Sequence, residues 1–175
     1  MANENTTAFN VIYKAFLGKI TADMFLELTE QDTMKLLQRL LINSIPLFEF
    51  PRFNIFDYEE GELQEVIDEN TGASSIEWVG GAFNSVLTKE EINILAEDMI
   101  IEWLGQQLKS TENIRQKFSG ADFKMTSQAN HMAKLKDLLN DEERQAKHLQ
   151  RLYKRRVVGQ DGTIQTTMKN LMSGE

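Results

Sequence analysis

The chain has 175 residues, 41% of them hydrophobic and 26% charged, which is the composition of a folded domain with its own core. It contains no cysteine, and this excludes disulfides, thiolate metal sites and cysteine nucleophiles. A formal net charge of -8 argues against a generic DNA-binding surface, and no apolar run approaches the roughly 20 residues of a membrane-spanning helix.

The first part of the chain predicts short helices. Apolar residues recur at helical spacing in 8–18 and again in 21–28, with Gly18 near the break between them. A third helix is predicted after Thr29, a capping residue with Asp32 three positions on, and Pro46 marks its end.

The segment 45–58 changes to an extended pattern, because aromatic and polar residues alternate there and two prolines intervene. It predicts one or two short strands, with Pro51 at an edge or a bend. Residues 62–75 are expected to begin as a helical turn and continue as a loop. A second alternating stretch, 75–87, is broken by Gly80 and Gly81. We therefore expect a small antiparallel sheet or a long hairpin, inserted between helices over 45–87.

The clearest helix begins at Thr88. Thr88 and Glu91 have the spacing of a capping box, in which each side chain binds the backbone N–H of the other residue. A wide apolar face follows as far as Leu108 and predicts the central buried helix, which continues or restarts as far as 118. Glu97 and Asp98 are assigned to its polar, solvated side.

The last helix is predicted from Ser127 to about Arg156, which is about 45 Å at 1.5 Å per residue. Its apolar stripe is narrow, so we expect it to cover a body on one side only. His131 and His148 lie seventeen residues apart on it, too far to bind one metal ion, and a hydrogen-bonded or solvated surface position is expected for each.

Charge is distributed unevenly along the chain. Residues 1–126 carry -11, residues 127–156 carry +4 and the last nineteen carry -1. The basic stretch ends in Lys154, Arg155 and Arg156, and two interpretations stay open. These side chains either offset the helix dipole or contact an acidic surface on a neighbouring subunit or on nucleic acid.

No motif for chemistry is present. There is no P-loop, no G-x-G-x-x-G, no G-x-S-x-G and no HExxH, so we expect no enzyme, no cofactor and no bound metal. An aromatic cluster has two interpretations, of which we favour packing in a core over a platform that stacks bases, because only Arg52 is interleaved. The cluster comprises Phe48, Phe50, Phe53, Phe56 and Tyr58.

The tail 157–175 has no clear hydrophobic face but is too apolar for a solubilising tail. Either it folds back on its own subunit as a hairpin, or it leaves as an arm that becomes ordered on a neighbour. We favour the arm, because the preceding helix ends in charge and offers no apolar surface. Its apolar residues are Val157, Val158, Ile164, Met168, Leu171 and Met172.

Three features in sequence order resemble the head-tail connector proteins of tailed bacteriophages, the adaptor ring proteins beneath the portal. They are the capped helix TKEEINILAEDMIIEWLGQQL, the long helix ending in KRR and the tail from Val157. The resemblance implies a non-enzymatic structural virion protein of the neck, made in the cytoplasm of a bacterial host. It further implies a homo-oligomer, a dodecameric ring, that contacts the portal protein and a downstream neck or tail protein.

The resemblance also implies that DNA passes through the ring without specific binding, and that no membrane is involved. Lys154 to Val158, with Ile164, Met168, Leu171 and Met172, are then the residues expected to dock on the portal or on a neighbouring subunit. The predicted fold class is mainly α (α+β), a helical bundle with a long C-terminal helix, a small inserted hairpin or sheet and an extended C-terminal arm. One domain, 1–156 with the insertion 45–87, precedes the arm 157–175. The alternative function is a nucleic-acid-binding packaging or regulatory protein that uses the basic C-terminal helix.

Overall fold

The computed structural model describes residues 6–20, 28–67, 74–117, 126–158 and 164–166. Over these residues the chain is mainly helical, with small antiparallel sheets, so the α+β class is confirmed. The helices are α1 (Phe9–Leu17), α2 (Glu30–Ser44), α3 (Lys89–Lys117) and α4 (Thr126–Lys154). The strands are β1 (Thr7–Ala8), β2 (Tyr58–Glu59), β3 (Glu62–Ile67), β4 (Ser74–Val79), β5 (Ala82–Phe83), β6 (Arg156–Val158) and β7 (Ile164–Thr166).

The ends of the first two helices follow from the sequence. Helix α1 matches the predicted 8–18 stretch, whereas the stretch expected in 21–28 lies outside the described residues except at its last position. The Thr29 hydroxyl oxygen accepts a hydrogen bond of 3.1 Å from the backbone N–H of Asp32, as an N-cap should. Helix α2 ends at Ser44, where a short 3-10 helix, Ile45–Leu47, takes over with Pro46 in its first turn. The predicted boundary is thus confirmed.

The extended region forms two separate units. In the first, β5 lies between β1 and β2, and Phe83 is opposite both Thr7 and Tyr58. In the second, β3 and β4 form an antiparallel hairpin over six residue pairs, among them Leu63 with Trp78. The helical turn expected at the start of 62–75 is wrong, because a complete strand ladder with β4 satisfies that backbone instead.

The strands expected within 48–56 are also wrong. Strand structure in 45–58 is confined to Tyr58 at its end, and the rest is the 3-10 helix followed by irregular chain. The reason lies in helix α4, whose side chains take the place of a neighbouring strand. The backbone N–H of Glu49 donates to the Gln150 side chain at 2.9 Å, and that of Arg52 donates to the Tyr153 hydroxyl at 3.1 Å.

The core is centred on α3, as the apolar face predicts. Helices α1, α2 and α4 all pack against it, and Leu95 and Met99 of α3 are fully buried. Helix α4 contributes Tyr153 to the same core, 1% exposed. No helix among the described residues is both long and apolar enough to cross a membrane.

Gly81 allows the small sheet to approach α1 closely. A methyl group at Gly81 would lie 2.8 Å from the ring of Phe9 and 2.8 Å from the backbone nitrogen of Gly61. The backbone N–H of Phe9 also donates to the Gly81 carbonyl at 2.9 Å. A side chain at this position is therefore incompatible with the packing, whereas adjacent Gly80 faces open space.

Candidate partner-binding surface

Three carboxyl groups on α3 are buried rather than solvated. Glu91, Glu97 and Asp98 are 0%, 5% and 1% exposed, so the assignment of Glu97 and Asp98 to a solvated side is wrong. The sequence did carry a signal for two of them. Glu91 lies four residues before buried Leu95, and Asp98 lies three residues after it. This spacing places all three side chains on one face of the helix.

The Glu91 carboxyl group links the cap of α3 to the end of α4. One oxygen completes the predicted capping box, because it accepts from the Thr88 backbone N–H at 2.7 Å. The other accepts a short hydrogen bond from the Tyr153 hydroxyl. Burial, followed by the hydrogen bond and charge of Glu91, raises the pKa of Tyr153 above its usual value, so this hydroxyl stays a donor.

Gln150, one helical turn before Tyr153, connects three elements. Its amide oxygen accepts from the Glu49 backbone, and its amide nitrogen donates to the Leu47 carbonyl at 3.0 Å. The same nitrogen lies 3.3 Å from both carboxyl oxygens of Asp98. Burial raises the pKa of Asp98 to about 7, although the Gln150 hydrogen bond opposes this and Glu97 and Glu49 reinforce it.

A cavity of about 270 Å³ opens beside Asp98 and Gln150, with Glu49, Glu143 and Lys147 among its lining residues. Carboxyl groups surround it, but no group of three His, Asp or Glu side chains among the described residues is placed to hold a metal ion. Asp98 and Gln150 already bind one another there. Their arrangement therefore accounts for how α4 and the 47–52 segment are held on α3.

The basic cluster at the end of α4 is fixed to the body. The Arg156 guanidinium forms an ion pair of 2.6 Å with Glu90, and the Lys154 ammonium lies 3.8 Å from the centre of the Phe50 ring. Arg52, on the segment before β2, also contacts this end of α4. Its guanidinium donates to the Arg156 carbonyl at 2.7 Å and stacks over the Tyr153 ring. Arg155, the first residue after α4, has an exposed side chain.

Three aromatic side chains on the segment before β2 are exposed. Phe50, Phe53 and Phe56 have 41%, 45% and 61% of their surfaces open to solvent, whereas Phe48 is buried against Tyr153. Core packing is thus the wrong interpretation for three of the five clustered aromatics. We call these three residues the aromatic loop, and it adjoins the basic cluster through the contact between Lys154 and Phe50.

The predicted docking residues of the tail begin beside this loop. Val157 and Val158 belong to β6 and Ile164 belongs to β7, and these strands pair with Val157 opposite Gln165 and Val158 opposite Ile164. The described part of the tail is therefore a paired β structure directly after the basic cluster. Met168, Leu171 and Met172 lie outside the described residues. Docking of the arm on another chain stays a prediction.

The two histidines, His131 and His148, are exposed on α4, as expected for surface positions.

Comparison with protein-family models, with curated proteins and with solved structures finds no match for this chain. The strongest candidate for contact with a partner is therefore chosen on its geometry and composition. It is the surface that combines exposed aromatic rings, cationic side chains and the start of the tail. Aromatic residues and Arg are enriched in protein interfaces.

Proposed function

We propose that this chain is a structural subunit of a head-tail connector in a tailed bacteriophage, an adaptor that forms an oligomeric ring under the portal. The observation that carries the proposal is the convergence of three features at one end of α4. These are the aromatic loop, the basic cluster and the first strand of the tail, which adjoin one another in the fold. A subunit that must hold neighbours needs such a surface on a rigid support.

The support is rigid because buried polar contacts fix it. Tyr153 and Gln150 hold the last turns of α4 on α3 and on the 47–52 segment, and both side chains are at least 96% buried. Buried hydrogen bonds of this kind are costly to break, since the groups left behind lose both water and partner.

The charge distribution suits a conduit for DNA. The body up to residue 126 carries a formal charge of -11; Glu91, Glu97 and Asp98 are buried, and the remaining surface acids repel the phosphate backbone. The basic end is partly neutralised within the chain, because Arg156 pairs with Glu90. On α4, Lys147 lies 3.9 Å from Glu143 and Arg144 lies 3.3 Å from Asp141. These pairs lower the net positive charge that α4 offers to a nucleic acid.

The proposal is tested with purified full-length chain and the portal protein of the same virus. We expect the chain to co-sediment with assembled portal rings, and to show no binding to duplex DNA at physiological salt. Micromolar DNA binding that weakens steeply as salt rises, together with no retention on the portal, would contradict the proposal and favour the nucleic-acid-binding alternative.

A further inference from the structure

We propose that copies of this chain join head to tail, with the aromatic loop of one copy seated in a groove between α2 and β4 of the next. The inference rests on the proposed function and specifies how its ring is built. It assigns a role to the aromatic loop and to the groove, neither of which belongs to the predicted docking residues of the tail.

The groove lies between the first turns of α2 and the hairpin and measures about 680 Å³. Its apolar lining comes from Met34 on α2 and from Ile76 and Trp78 on β4. Ile76 lines the groove with 61% of its surface exposed to solvent. An apolar occupant would remove this side chain from water, at about 25 cal/mol per Å² of apolar area covered.

One acidic side chain lines the groove, and a second lies beside its lining residue Ile76. Glu30 lines it from α2, and Glu65 stands opposite Ile76 in the hairpin. Residues opposite one another in an antiparallel pair project to the same face of the sheet, which places Glu65 beside Ile76. Both glutamates are exposed. An occupant that is apolar at its centre and basic at its margin is complementary to this groove.

The aromatic loop combines exposed apolar rings with two adjoining cations. Its three phenylalanines lie within seven residues, and the cations Arg52 and Lys154 flank them. No acidic side chain occurs between Phe50 and Phe56; Glu49 and Asp57 adjoin the segment, and they contact the Gln150 and Asn84 side chains of their own subunit. Single exposed apolar residues are ordinary on protein surfaces, but a cluster of aromatic rings with adjoining cations has the composition of an interface centre.

The groove and the aromatic loop are separate surfaces of one subunit. The groove is at the first turns of α2, whereas the aromatic loop follows the last residue of α2 through the 3-10 helix. None of the three phenylalanines lines the groove of its own subunit, and Phe50 instead contacts Lys154 on α4. A contact between two different surfaces of identical chains is heterologous, and it closes into a ring when the rotation between neighbours permits.

The absence of cysteine allows a direct test by cross-linking. Phe56→Cys is made in the full-length chain, and Ile76→Cys is made in a second copy that carries a mass tag. The two are mixed, alone and with portal rings, and treated with a short bismaleimide. We expect a mixed dimer as the main product, with at least tenfold less product when Leu138→Cys replaces Ile76→Cys, because Leu138 is exposed on α4 and does not line the groove.

A dominant product between two Phe56→Cys chains would overturn the inference, because it requires contact between identical surfaces. Absence of the mixed dimer under both conditions would also overturn it. The proposed function is judged separately by electron microscopy of the unmodified chain with its portal. Rings without the mixed dimer would contradict only the loop-and-groove contact, and failure to join the portal would contradict the function itself.

Discussion

Tyr153 near the end of α4 donates its hydroxyl hydrogen bond to Glu91 in the first turn of α3, across 62 residues of sequence. The same hydroxyl accepts from the Arg52 backbone, so three chain segments meet at one buried oxygen. The basic cluster and the tail follow Tyr153 directly. Their position relative to the core consequently depends on this contact.

Replacement of Tyr153 by Phe is expected to destabilise the fold. The Glu91 carboxyl group and the Arg52 backbone N–H would each lose a partner, and unsatisfied buried polar groups cost about 1–3 kcal/mol. Chemical denaturation monitored by tryptophan fluorescence measures the change. Tyr13→Phe is the matched control, because the buried Tyr13 hydroxyl has no hydrogen-bond partner among the described residues. Equal effects of the two substitutions would contradict a specific role for the Tyr153 hydroxyl.

Gly81→Ala and Gly80→Ala form a second matched pair. The Cβ at Gly81 would meet the Phe9 ring and two backbone segments, and overpacking of this kind costs roughly 1–3 kcal/mol or more. Gly80 has no neighbour within 4 Å of its Cβ position, so its substitution should change the free energy of unfolding by less than about 0.5 kcal/mol. Thermal unfolding of the two variants and of the parent chain measures the difference in stability. A stable Gly81→Ala protein would show that β5 does not approach α1 so closely.

Asp98 is expected to make stability depend on pH. Its pKa rises from an ordinary value of 3.8 to about 7 on folding, mainly by burial. Below pH 3.8 the carboxyl group is protonated in both states and imposes no penalty. Between about pH 4 and 7 the folded state keeps a proton that the unfolded state releases, so stability falls as pH rises through this range and levels off above it.

Asp98→Asn removes this penalty and keeps an acceptor for Gln150. The variant should gain stability relative to the parent chain, and the gain should be about 2–3 kcal/mol larger at pH 8 than at pH 5. Urea denaturation at the two pH values gives the comparison. Asp141→Asn is the control, because the side chain of Asp141 is 73% exposed. A gain independent of pH would mean that Asp98 is ionised in the folded protein throughout.

Removal of residues 157–175 is expected to leave the core intact and to abolish capture by the portal. Strand β6 starts at Arg156, whose ion pair with Glu90 stays in the shortened chain. A second truncation removes only 167–175, so it keeps β6 and β7 and deletes Met168, Leu171 and Met172. Comparison of the two truncations shows which part of the tail the portal requires. Loss of several kcal/mol of stability in the first truncation would instead show that the tail packs on its own subunit.

Much of the fold follows from local sequence signals. Thr29 and the Thr88–Glu91 box fix two helix starts, and Pro46 marks where α2 gives way to the 3-10 helix. These features depend on residues a few positions apart, which sequence patterns report well. The hairpin strand β3 was missed because its start, ELQE, favours a helical turn locally. Its pairing with β4 overrides that preference.

The candidate surface was less accessible to prediction. Alternating residues in 48–56 looked like strand, but Gln150 and Tyr153 from about 100 positions away satisfy that backbone. Burial of Asp98 likewise depends on Gln150, 52 residues later. Pairings at such separations leave no periodic pattern in either segment. The docking role of Lys154 and Arg156 rests on the charge distribution along the chain and on the resemblance, and it stays a prediction.

The central claim is that this chain assembles into a ring on a portal. The most direct measurement is the mass and image of the particle formed when the full-length chain is mixed with its portal protein, by native mass spectrometry and electron microscopy. A closed ring of several copies stacked coaxially on the portal is the predicted result. A chain that stays monomeric and leaves the mass of the portal ring unchanged would contradict the claim.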